Sequence, residues 1–208
     1  MKINFRSRLS LATAALLTAA LLAPFQAWAG PPLICDPIDI GDAKSLPWQN
    51  VSGWQGADPS YNLTRLSGDT LALLTPETTL KVRMETLRRA ALYAAKEPRL
   101  VNELTARLTA RALDAEAAGK SDAMAWFDAG YFVETLRQAT FIYRHDMLSS
   151  QERAGWKLRG GTHQLDGYAW VQKAIRLGGK NMDAALARIE SYRNADLKPR
   201  EQTKVAAR

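Results

Sequence analysis

The chain has 208 residues, 47% of them hydrophobic, with 28 lysines and arginines against 21 aspartates and glutamates, a net charge of +7. That hydrophobic share excludes a chain disordered throughout, and so mild a basicity lacks the dense one-sided charge of a nucleic-acid binder. The length suits one domain with a sizeable core.

Residues 1–29 read as an export signal. Lys2, Arg6 and Arg8 make a basic start, Leu9 to Ala23 is an unbroken run of Leu, Ala, Ser and Thr, and Pro24 ends it. Ala27-Trp28-Ala29 then places small residues at the two positions a signal peptidase reads. The run falls short of the roughly 18–20 apolar residues a membrane span needs, so the expectation is cleavage after Ala29. The three basic residues leave with the signal and lower the net charge from +7 to +4. The expected mature protein is exported, periplasmic or extracellular, with no membrane span and no nucleic-acid partner.

Residues 30–74 differ in texture. Pro31, Pro32, Pro37, Pro47 and Pro59 alternate with Gly41, Gly53, Gly56 and Gly68, with Trp48, Trp54 and Tyr61 interspersed. No period of 2 or 3.6 persists, which predicts an irregular arm. Its rings predict that the arm packs on the body, since exposed aromatics would waste apolar area. Cys35 is the chain's single cysteine. Ile34 precedes it where a lipid anchor would need a small residue, so a thiol packed beside Leu33 and Ile34 is expected.

A helical domain is predicted over 75–195. Thr75 reads as an N-cap with Pro76 at the first helical position, and Leu80, Met84, Leu87, Ala91 and Ala94 follow at helical spacing. Glu97-Pro98 starts a second helix, with Val101, Leu104, Leu108, Ala112 and Ala115 on one face, and Gly119 ends it. Ser121 reads as the cap of a third helix, running to about Tyr143. Its apolar residues, Met124, Trp126, Phe127, Tyr131, Phe132, Val133, Leu136 and Phe141, nearly encircle it and place it mid-bundle. Asp166 caps a fourth helix that Gly178-Gly179 stops, and Asn181 reads as the cap of a fifth. The predicted fold is all-α, built of antiparallel helical hairpins. Residues 196–208, with Lys198, Arg200, Lys204 and Arg208, read as a flexible basic tail.

Two segments echo each other 49 residues apart: Met84-Glu85-Thr86-Leu87-Arg88-Arg89-Ala90 and Val133-Glu134-Thr135-Leu136-Arg137-Gln138-Ala139. Such spacing is what stacked helical hairpins produce. The third helix resembles the first helix of a tetratricopeptide repeat. Trp126, Ala129 and Gly130 fall at that family's Trp, Leu and Gly, with Val133 in place of its Tyr, while Ile142, Asp146 and Ala154 depart from its later positions. The resemblance implies a short stack of tetratricopeptide-like hairpins. The stretch PPLICDPIDIGDAKSLPW followed by RMETLRRAALYA also resembles a family of exported bacterial proteins, which implies no activity.

Candidate chemistry is sparse. His145-Asp146 and His163 with Asp166 offer donors for a metal, but no His pair lies four apart on a helix. A nucleophilic Cys35 would need one of those distant histidines as base. Glu85, Glu103, Glu116 and Glu134 have basic neighbours and read as surface ion pairs. Arg153, Trp156, Lys157, Arg159, Tyr168 and Trp170 mix rings with cations in a way that suits a partner groove. The reading is a non-enzymatic module, without cofactor or metal, binding a protein or peptide partner in the cell envelope. The alternative is a hydrolase using Cys35 with a histidine, or a metal site at His145 and His163.

Overall fold

The computed structural model describes residues 31–49, 51, 53–142 and 165–193. The expected signal (1–29) and basic tail (196–208) lie outside them. The helices are α1 (Pro32–Cys35), α2 (Leu66–Leu73), α3 (Leu80–Ala94), α4 (Pro98–Ala117), α5 (Ala123–Ile142), α6 (Gly167–Arg176) and α7 (183–193). A 3-10 turn over Leu63–Arg65 precedes α2. Among the described residues, β pairing is limited to an isolated bridge between Trp48 and Ala57. The fold is all-α.

The local signals act as polypeptide chemistry dictates. Pro98 opens α4, where its missing N–H costs nothing. The helix closes at Gly119, whose φ of +69° lets its own N–H reach the Glu116 carbonyl and the Lys120 N–H reach that of Ala115. Asp166 caps α6 by accepting from the Ala169 N–H at 3.1 Å.

Three expected starts shift. Asp122, not Ser121, caps α5, accepting from the Met124 and Ala125 N–H groups. Thr75 and Pro76 do not begin α3. The Thr78 N–H bonds the Thr75 carbonyl, and the Thr78 hydroxyl bonds the Leu73 carbonyl at 2.7 Å, so this stretch closes into a turn. Local hydroxyl bonds compete with the helix there. Asn181, at φ +61°, stands before the α7 start, where the Leu186 N–H reaches the Met182 carbonyl.

The arm is also more regular than its composition predicts. Asn62 caps the 3-10 turn by accepting from the Thr64 N–H at 3.0 Å, and α2 continues from it. Ser67 and Thr70 are among α2's buried residues, so its inward face carries no apolar stripe to read.

α5 is the centre of the molecule and packs against α1, α3, α4 and α6. Phe127, Ala129, Tyr131, Phe132 and Leu136 are buried on different sides of it. Each large apolar side chain so buried is worth about 1.5–3 kcal/mol. Short connections at 95–97 and 118–122 reverse the chain between α3, α4 and α5. α5 and α6 cross at Gly130 and Gly167, where a Cβ on either would lie 2.5 Å from the other's carbonyl oxygen.

Residues 31–49 lie along α3 and α5. Leu33, Ile34 and Leu46 are buried in the core, and Cys35, at the end of α1, is half-buried against it. On α7, Met182, Ala185 and Ile189 join the same core.

Candidate functional site

The site begins with two glutamates that helical periodicity alone would leave in solvent. Glu85 on α3 and Glu134 on α5 are each about 1% exposed at the side chain. Both were expected in surface ion pairs, an assignment that holds for Glu103 and Glu116, which meet Arg99, Arg107 and Lys173 at the surface. Glu85 and Glu134 flank the apolar stripes closely enough for the incoming chain to cover them.

Glu85 is saturated with donors. Arg88 Nε and Nη2 approach its two oxygens at 2.7 Å, Arg89 Nε at 2.8 Å, and the Ile38 N–H donates at 3.1 Å. Burial pushes the Glu85 carboxyl up, but Arg88 and Arg89 more than reverse that, leaving it below the ordinary glutamate range. The fully buried Arg88 reaches onward to the Ile34 and Gly53 carbonyls, and Arg89 to that of Leu46. The Arg88 guanidinium also sits 4.9 Å from the centre of a Trp48 ring.

Neighbouring side chains hold the same segment by its main chain. Gln138 Oε1 accepts from the Leu33 N–H at 2.8 Å. Arg188 donates to the Pro32 and Asp36 carbonyls. Tyr93 donates to the Pro47 carbonyl and accepts from the Asp58 N–H.

The second copy of the motif does the same work on another stretch of chain. Glu134 accepts from the Tyr168 N–H at 3.1 Å, and Arg137 donates to the Leu165 carbonyl at 2.8 Å. In each copy, therefore, the glutamate takes an N–H from an arriving segment and the arginine three residues later takes a carbonyl. The Gly130–Gly167 crossing brings Tyr168 close enough for this.

The two copies differ electrostatically. Arg137 and Arg193 stand 3.5 and 3.6 Å from Glu134, farther than Arg88 and Arg89 from Glu85. Burial therefore dominates, and the Glu134 carboxyl is raised above its ordinary range despite both arginines.

Of the residues expected at a partner groove, Arg153, Trp156, Lys157 and Arg159 lie outside the described residues. Tyr168 and Trp170 lie on α6, both half-buried. Tyr168 donates to Glu190 at 2.5 Å with the Arg193 guanidinium 4.8 Å from its ring centre. Trp170 meets Trp126 edge-on, with ring centres 5.8 Å apart. Much of each ring is therefore spent on packing.

His145, Asp146 and His163 also lie outside the described residues, and Asp166 serves as the α6 cap. Among the described residues no cluster of three or more His, Cys, Asp or Glu side chains is placed to hold a metal. Also among them, no helix is long and apolar enough to cross a membrane.

Sequence reasoning found the echoed segments but not what they do. The signal was present: Glu and Arg recur three apart in both copies, with a buried Leu immediately before each Arg. Compared with protein-family models, curated proteins and solved structures, the chain matches none.

Proposed function

We propose that the chain is an exported, non-enzymatic helical module that binds a protein or peptide partner in the cell envelope. The observation that carries this reading is the pair of half-buried rings on α6, Tyr168 and Trp170, with the Arg193 guanidinium 4.8 Å from the Tyr168 ring centre, a mix of ring and cation that suits a partner surface. The two main-chain clamps, Glu85 with Arg88 and Glu134 with Arg137, are filled by the chain's own segments and fix the scaffold that presents those rings. In this reading the two copies are repeat units of a short tetratricopeptide-like stack. Their shared roles and 49-residue separation support that. The proposed partner-binding residues are Arg153, Trp156, Lys157 and Arg159, which lie outside the described residues, together with the half-buried Tyr168 and Trp170, a mix of rings and cations that suits a partner groove.

A photoreactive residue at Gln172, one turn beyond Tyr168, tests this in the native envelope. The expected result is a discrete polypeptide adduct whose yield drops severalfold in Trp170→Ala. Adducts no stronger than those from the exposed Ala110 on α4 would refute the assignment of the surface.

A further inference from the structure

A separate buried charge pair joins α3 to α5 and serves neither clamp. Arg83 and Asp128 are each 1% exposed, with Arg83 Nη1 and Asp128 Oδ2 2.5 Å apart. Arg83 also holds the turn before α3. Its Nη2 donates to the Thr75 carbonyl and its Nε to that of Thr78 at 3.1 Å. Arg111, from α4, donates to the Leu74 carbonyl at 3.2 Å. Two arginines thus grip three carbonyls of one turn, and Asp128 supplies the counter-charge.

That grip is incomplete in a specific way. Asp128 Oδ1 and Arg111 Nη1 are both buried and have no hydrogen-bond partner. An unmet acceptor and an unmet donor in one electrostatic neighbourhood leave the ionised carboxylate poorly compensated. The turn itself is exposed at Thr75, Pro76 and Glu77. Leu73, Thr75, Glu77, Thr78 and Val82, with Lys44 opposite, line a shallow surface groove of about 350 Å³.

We propose that the Arg83–Asp128 pair is a proton-operated latch on this turn. With Asp128 ionised, Arg83 stays inside and pins the groove wall. When the carboxylate binds a proton, Arg83 keeps its charge but loses its counter-ion. The guanidinium then moves outward to water and the exposed Glu77, releasing the Thr75 and Thr78 carbonyls.

The energetics agree with that geometry. Burial pushes the Asp128 carboxyl up to about 7, against the pull of Arg83 and then Arg111, while Asp122 adds a smaller upward push. These are the charged groups that reach it from α3, from α4 and from the start of α5. The sign separates the latch from acid unfolding. The folded-state value is above the ordinary 3.8, so the folded protein binds the extra proton between those limits. Asp128's contribution to global stability therefore grows as pH falls through 7, while the turn loosens locally.

The test is site-resolved amide exchange on the full mature chain at pH 8.5 and 5.5, corrected for intrinsic rates, with a carbon-13 titration of the Asp128 carboxyl. Expected are a midpoint near 7 and at least a tenfold loss of protection at the Thr78 and Arg83 amides on acidification. Leu104 and Leu108 should hold theirs. Asp128→Asn should show the low-pH pattern at both values, and the titration stands without any variant. A midpoint below about 5, or pH-independent protection at Thr78 and Arg83, would overturn the latch.

Discussion

Replacing Glu85 with alanine is expected to cost about 3–5 kcal/mol of folding stability, the scale for removing one partner of a buried ion pair. Arg88 would remain fully buried without the carboxylate that both its Nε and Nη2 address. Arg89 and the Ile38 N–H would lose the same acceptor. For a domain of this size each kcal/mol moves the melting temperature by roughly 2–4 °C, so a fall on the order of 10 °C is predicted. Glu103→Ala is the control: its arginine partners are more than half exposed, and loss of such a pair shifts stability by about 0.5 kcal/mol or less. Glu134→Ala should fall between the two, because its arginines stand farther off and its ionised form is less well compensated.

Gly130→Ala is the second large effect. The added methyl would lie 2.5 Å from the Gly167 carbonyl oxygen and 2.9 Å from the Val171 nitrogen. Both obstacles are backbone, so no side chain can turn aside, and α5 and α6 must move apart. Overpacking of this kind costs about 1–3 kcal/mol. Separation would also break the Glu134 bond to the Tyr168 N–H, leaving a buried carboxylate short of a donor, so about 3 kcal/mol is expected. Gly68 on α2 has open space around its Cβ position, and Gly68→Ala should be neutral or stabilise by up to about 1 kcal/mol. Denaturant unfolding of the two variants side by side measures both.

The sequence made the helical body legible where one strong local signal acted alone. Pro98 and Gly119 bound α4 because one lacks a donor and the other tolerates positive φ. The ring of apolar residues on α5 placed it at the centre, because so much apolar surface has no other stable place. Where two local chemistries competed, the reading failed. The Thr78 hydroxyl donates to the Leu73 carbonyl and accepts from the Thr75 N–H, with the Thr75 hydroxyl paired to it, which delayed α3 to Leu80. On α2, the buried Ser67 and Thr70 erased the pattern that would have announced a helix. The clamps were hidden for a different reason. Helical spacing says which face a charge lies on, but only tertiary packing says whether another segment will cover it. Glu85 and Arg88 meet Ile34, Ile38 and Gly53, far from them in sequence.

The measurement that tests the duplicated clamp most directly is amide exchange at Ile38 and Tyr168, compared between Glu85→Ala and Glu134→Ala under conditions where both remain folded. Each glutamate is the acceptor for one of these two amides. A crossed result is expected: Glu85→Ala speeds exchange at Ile38 and spares Tyr168, and Glu134→Ala does the reverse. Wild-type rates at both amides in both variants would show that the glutamates do not hold the main chain, and would contradict the duplicated clamp.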